Sequence, residues 1–261
     1  MTIHTIVGDL RRIAALSLLA AGLAGAPAVA QTTTGPNLVT NGTFQVTGGT
    51  TSFQFGTYAG NNSLTESLPG WASVGGYANV FLPGSYQSTG PWGAFALWYP
   101  GDGSNNGFTY ASPTGGNFVA IDSQTGDAPI TQTITGLVTG KTYVLSFAWA
   151  GAQAAPNTGA STEAWQVSLG ASTQTTSTVN VASEGFSGWM TQTFSYVATG
   201  SSEVLSFLAL GPTGANVPPF ALLANVSMYA AVPEPASITV LLTAIGGLMG
   251  AAGMGKRRTA A

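Results

Sequence analysis

Thr142-Tyr143-Val144-Leu145-Ser146-Phe147-Ala148-Trp149-Ala150 alternates large and small side chains with a period of two. In a strand, Tyr143, Leu145, Phe147 and Trp149 share one face, and Val144, Ser146, Ala148 and Ala150 share the other. A helix would scatter the four large residues over two sides, so the pattern predicts a strand. Trp165, Val167 and Leu169 repeat the alternation, and Phe194 and Tyr196 do so more briefly. Residues 204–210 are apolar at nearly every position and read as a central strand, apolar on both faces. Residues 37–46, 117–122, 130–135 and 220–229 complete the better candidates. Gly, Ser, Thr and Asn punctuate these runs, and no segment keeps a helical period. About ten strands in roughly 200 residues predict an all-β fold, a single jelly-roll-type β-sandwich of two packed sheets.

Composition narrows the chemistry. The 261 residues include 6 Lys+Arg, 9 Asp+Glu, one His and no Cys. Charged residues make up 6% of the chain, where an average soluble domain has about 25%. Without cysteine there is no disulfide framework, no thiolate metal site and no thiol nucleophile. The single histidine, His4, lies in a segment read below as a leader. The mature chain then has no Ser-His-Asp triad and no imidazole ligand for a metal. So few basic residues also argue against nucleic acid, whose phosphates need Lys and Arg.

Both ends read as addresses. Arg11 and Arg12 precede an apolar run over residues 13–26, which closes on Ala28-Val29-Ala30 before Gln31. This order is that of a secretory signal peptide covering residues 1–30. At the other end, Val232-Pro233-Glu234-Pro235 leads into an uncharged stretch, residues 238–255, followed by Lys256-Arg257-Arg258. A helix of that length reaches about 27 Å, near the thickness of a bilayer core. The basic cluster would stay cytoplasmic and leave the domain outside.

Pro233-Glu234-Pro235, a spanning helix and Lys256-Arg257-Arg258, in that order at the extreme C-terminus, resemble the PEP-CTERM sorting signal. The resemblance covers residues 231–261. It implies a Gram-negative bacterium that makes exopolysaccharide, and a membrane processing enzyme, exosortase, as partner. It further implies sorting to the cell surface or extracellular matrix, with a transient inner-membrane anchor.

Between the two addresses lies one β domain, residues 31–230. It carries seven acids (Glu66, Asp102, Asp122, Asp127, Glu163, Glu184, Glu203) against one base, Lys141. The turn Leu137-Val138-Thr139-Gly140-Lys141-Thr142-Tyr143 resembles the corner that leads into a middle strand of jelly-roll and fibronectin-like domains. The resemblance implies that the Tyr143 hydroxyl returns to the backbone across that corner. Asn37-Leu38-Val39-Thr40-Asn41-Gly42, Leu68-Pro69-Gly70-Trp71, Gly116-Asn117-Phe118-Val119 and Ala224-Asn225-Val226-Ser227 follow the order seen in galactose-binding-like jelly rolls. That family often holds a structural calcium ion between an acid near the end of the first strand and an acid in the last. The matching positions here are Gln45 and Ala224, which supply too little anionic oxygen for a hard cation.

The most site-like stretch is Trp92-Gly93-Ala94-Phe95-Ala96-Leu97-Trp98-Tyr99-Pro100-Gly101-Asp102-Gly103-Ser104-Asn105-Asn106-Gly107. Flat aromatic faces can stack on sugar C–H groups, and Asp and Asn beside them can exchange hydrogen bonds with hydroxyls. Trp92, Trp98, Tyr99, Asp102, Asn105 and Asn106 are therefore the candidate ligand-binding residues. The same stretch also reads as a strand with core rings followed by a Gly/Asn turn. Asp102, Ser104 and Asn106 mimic the opening of an EF-hand loop, whose twelfth position is Pro113 and gives no carboxylate. Trp71, Trp165 and Trp189 read as core or edge packing. No acid pair lies in a recognisable motif, so no catalytic residue, metal or cofactor is expected.

The expectation is an exported, noncatalytic protein of the surface or exopolysaccharide matrix, associated with carbohydrate. The alternatives are a purely structural matrix protein with no defined ligand and, further off, a glycan-active enzyme.

Overall fold

The computed structural model describes residues 33–56, 68–73, 78–90, 93–123, 129–212 and 219–232. The predicted leader, Trp92, Asp127 and the sorting motifs Pro233-Glu234-Pro235 and Lys256-Arg257-Arg258 lie outside the described residues. Among the described residues no helix is long and apolar enough to cross a membrane. The predicted span, residues 238–255, is not among them.

Fifteen strands form among the described residues. They are β1 (Thr33–Thr34), β2 (Phe53–Phe55), β3 (Ala72–Ser73), β4 (Ala78–Phe81) and β5 (Ser88–Gly90), followed by β6 (Gly93–Leu97), β7 (Phe118–Asp122) and β8 (Ile130–Thr135). Then come β9 (Thr142–Ala155), β10 (Ser161–Leu169), β11 (Ser172–Thr175) and β12 (Val179–Val181), and finally β13 (Met190–Val197), β14 (Ser202–Leu210) and β15 (Pro219–Ala231). One sheet has nine strands in the order β1-β15-β7-β4-β2-β5-β6-β9-β13. The other has six, with β11-β10-β14-β8-β3 on its path and β12 paired to β10. The fold is thus an all-β, jelly-roll-like sandwich.

Residues 142–150 lie in β9, the longest strand of the larger sheet. Its large face packs inward: Tyr143, Leu145, Phe147 and Trp149 are buried in one cluster with Trp165, Val167, Leu205 and Phe207 of the smaller sheet. Phe147 and Phe207 meet edge to face with centroids 5.1 Å apart. Two buried donors also tie sheet to sheet. Trp165 Nε1 donates to the Leu222 carbonyl at 3.1 Å, and the Tyr196 hydroxyl donates to the Val167 carbonyl at 2.8 Å. Buried polar atoms need such partners. The corner expected before β9 is present, with the Val138 N–H donating to the Tyr143 hydroxyl at 2.9 Å.

The small face of β9 is buried as well. Besides its neighbour β7, β15 also pairs with β9, so the path β15-β7-β4-β2-β5-β6-β9 closes on itself. The larger sheet therefore curls into a ring. Five of its seven strands contribute to a second apolar cluster: Phe81, Leu97, Phe118, Phe220 and the alanines 148, 150, 152 and 154 of β9. Phe108 and Tyr110 complete it from the loop after β6. Alanines on the sheet leave room for rings from the chain that crosses over them.

Two strand expectations are corrected. Residues 37–46 form turns, not a strand, although they lie beside β15. Asn41 takes a left-handed φ of 52°, and its side chain bonds to the Gln45 backbone at both N–H and carbonyl. Such a local alternative competes with a ladder. Residues 204–210 do form the central strand β14, between β10 and β8, but only one face is buried. Leu205, Phe207 and Ala209 point into the core, while Val204 is 47% exposed.

Candidate functional site

The aromatic stretch singled out above forms the outer wall of the ring. After β6 the chain passes through Trp98 and Tyr99 into a single 3-10 turn, Pro100–Asp102, closed by Gly103 at φ 94°. A left-handed residue there favours glycine. The loop is then stapled down. Asn106 Nδ2 donates to the carbonyls of Trp98 (2.7 Å) and Glu184 (2.9 Å), and Asn106 Oδ1 accepts from the Phe108 N–H at 2.9 Å. Ser104 Oγ donates to the same Glu184 carbonyl at 2.8 Å. Trp98 is half-buried, and its Nε1 donates to the Asn157 carbonyl at 2.6 Å.

These bonds divide the predicted residues. Asn106 and Trp98 hold the loop, with the Asn106 amide fully engaged by backbone. Asp102 and Asn105 are exposed at its tip. Tyr99 is half-buried, and its ring meets another side chain that the sequence analysis did not single out. Its ring stacks on Tyr86, with centroids 4.7 Å apart and planes 15° from parallel. Tyr110 meets both rings edge-on, at 5.3 Å from Tyr86 and 5.1 Å from Tyr99. Such edge-to-face and offset arrangements suit the ring quadrupoles.

The platform has a rigid backing. Tyr110 is fully buried, and its hydroxyl donates to the Leu97 carbonyl at 2.6 Å while accepting from the Leu97 N–H. Burial, more than any neighbouring charge, holds this phenol's pKa well above the ordinary tyrosine range, so it stays a neutral donor. Gly101 leaves the space in which the Tyr99 ring lies, for a Cβ there would come within 2.3 Å of it. Tyr86, on the turn after β4, remains 49% exposed. It is the most exposed aromatic side chain among the described residues. Its sequence context, Leu82-Pro83-Gly84-Ser85-Tyr86, announces a turn and nothing about Tyr99, thirteen residues on.

Three of the described acids, Asp122, Glu163 and Glu203, are buried. Glu163 is fully buried and Asp122 nearly so. Ser123 Oγ and Ser161 Oγ donate to the Glu163 carboxyl oxygens at 3.2 and 3.4 Å. Burial, with a smaller push from the Asp122 charge, raises the Glu163 pKa to about 9, against the lowering from those hydroxyls. Glu203 accepts from the Thr199 hydroxyl and from the Thr199 and Gly200 N–H groups, which closes a turn and lowers its pKa. Among the described residues no three His, Cys, Asp or Glu side chains cluster to hold a metal ion. Of the two positions matched to calcium, Ala224 is packed in the second apolar cluster and Gln45 is exposed. The EF-like order also finds another use, since Ser104 and Asn106 turn their polar atoms onto backbone.

No protein-family model and no curated protein matches the sequence. Several solved structures overlap the chain in part. The CBM22-1 xylan-binding domain from Paenibacillus barcinonensis Xyn10C is 12% identical, with 70% of this chain and 94% of that one covered at a TM-score of 0.35. A structure described as "CBM4 structure and function" is 20% identical, with 52% and 86% covered and a TM-score of 0.28. The enzymatically active domain of bacteriophage CBA120 tailspike protein 4 is 13% identical, with 74% and 21% covered and a TM-score of 0.29. These overlaps are partial, and they include both binding modules and an enzyme. What this chain does rests on its own residues.

Proposed function

We propose that this chain is an exported, noncatalytic, carbohydrate-associated protein that meets its glycan on the Tyr86–Tyr99 platform. One observation carries the reading: two tyrosine rings stacked at 4.7 Å, braced by buried Tyr110, with half of Tyr86 left to solvent. A flat, rigid apolar face at the surface is suited to the C–H face of a pyranose, and Asp102 and Asn105 stand at the adjoining loop tip for its hydroxyls. A glycan array probed with the full-length chain tests it. Saturable binding that Tyr86→Ala and Tyr99→Ala abolish supports the reading. An array with no such binding points to a structural matrix protein instead.

The addresses complete the proposal. Ala28-Val29-Ala30 marks cleavage before Gln31, and Pro233-Glu234-Pro235 with Lys256-Arg257-Arg258 marks the tail as a PEP-CTERM signal for an exosortase-type enzyme. The chain would be held briefly in the inner membrane of a Gram-negative bacterium and released to the surface or exopolysaccharide matrix. Intact mass of the surface-released protein checks both ends. A released form that still carries residues 238–258 refutes processing of the tail.

A further inference from the structure

We infer that the tyrosine platform takes an uncharged glycan and turns away acidic polymers such as polyuronates, an inference that rests on the carbohydrate reading above. The argument is one of charge and distance. Between residues 13 and 255 the chain holds a single base, Lys141. Lys141 sits exposed in the turn that opens β9, bonded through its backbone to Val138 and Ala198. The platform lies at the far end of the same strand, where Leu97, just before Trp98 and Tyr99, pairs with Ala154. Thirteen residues of strand separate the two, on the order of 40 Å at about 3.3 Å per residue. Screening at physiological salt acts over about 8 Å, so Lys141 contributes nothing to a ligand on the tyrosines.

What the platform does have nearby is negative. Asp102 is exposed three residues from Tyr99, and its charge adds to the upward shift of the Tyr110 hydroxyl. Glu184 is half-exposed, and its carbonyl anchors Ser104 and Asn106 of the same loop. A polyuronate laid on Tyr86 brings a carboxylate with each sugar, meets these acids and, among the described residues, finds no cation to pair with. A neutral pyranose chain pays no such penalty and uses the ring faces and hydroxyl partners as they stand.

The test is a glycan array carrying neutral β-glucans and xylans beside polygalacturonate and alginate, probed with the full-length chain at about 0.05 and 0.5 M NaCl. Neutral members should bind, with affinity changing less than about twofold between the two salts. Tyr86→Ala should abolish that binding. Asp102→Lys should raise affinity for the polyuronates severalfold at low salt, with the gain lost at high salt. Tyr86-dependent binding to polyuronates that equals or exceeds binding to neutral glycans overturns the inference while leaving the carbohydrate reading in place. No Tyr86-dependent binding to either class overturns both. Unchanged thermal unfolding of each variant shows that the platform, not the fold, was altered.

Discussion

The two faces of β9 solve opposite packing problems. Its inward face carries Tyr143, Leu145, Phe147 and Trp149 and fills the space between the sheets from its own side. Its outward face carries Ala148, Ala150, Ala152 and Ala154 and is filled from elsewhere, by rings on β4, β7, β15 and the loop after β6. The first face is core in the ordinary sense. The second is a seat for a crossing segment, and that segment brings Tyr99 against Tyr86 at the surface. A strand with large residues on both faces would leave no room for it.

Breaking the inward face should cost most. Phe147→Ala removes a ring that touches both Phe194 and Phe207, and should lower stability by about 3–5 kcal/mol. The check is a lower denaturation midpoint at unchanged m-value. Overfilling the outward face should cost less. Ala150→Leu forces extra carbon under the covering rings and should cost about 1–3 kcal/mol. It should also shift the fluorescence of half-buried Trp189, which packs against that cluster.

A proton sharpens the contrast, because the inward side also holds Glu163, whose Cβ and Cγ approach Gly151 of β9. Its folded pKa of about 9 lies above the unfolded value near 4.5, so the folded state keeps a proton that the unfolded chain loses. Stability from this group is complete below about pH 4.5 and declines as pH rises toward 9, by at most about 1.4 kcal/mol per pH unit. Glu163→Gln should flatten that slope in thermal unfolding measured from pH 5 to 9. A variant with the wild-type slope assigns the proton to another group.

The smallest effect on stability belongs to the platform itself. Tyr86→Ala acts on a half-exposed ring and should change stability by about 0.5 kcal/mol or less, while removing glycan binding. Gly101→Ala is the complementary test, since its methyl displaces the Tyr99 ring without deleting either tyrosine. Equal losses of binding from the two variants would show that the stack, rather than either hydroxyl, is what the ligand needs.

Much of this fold is legible along the chain. The alternation in β9 assigns strand and inward face together, because side chains in a strand must alternate and the large set must leave water. The corner at Tyr143, strand β8 over Ile130–Thr135 and the packing roles of Trp71 and Trp165 follow from equally local signals. Long-range pairing was not legible. That β15 meets β7 and also β9, and so curls the sheet into a ring, depends on registers between residues about 70 to 100 positions apart. The same curl consumes the polar groups of Trp98 and Asn106 in backbone bonds and lifts Tyr86 into view. Local pattern determines which side chains an element can bury, since its period is a property of the backbone. Which ring stacks on Tyr99 was decided by tertiary closure, because the neighbours of an aromatic face are set by where the rest of the chain returns.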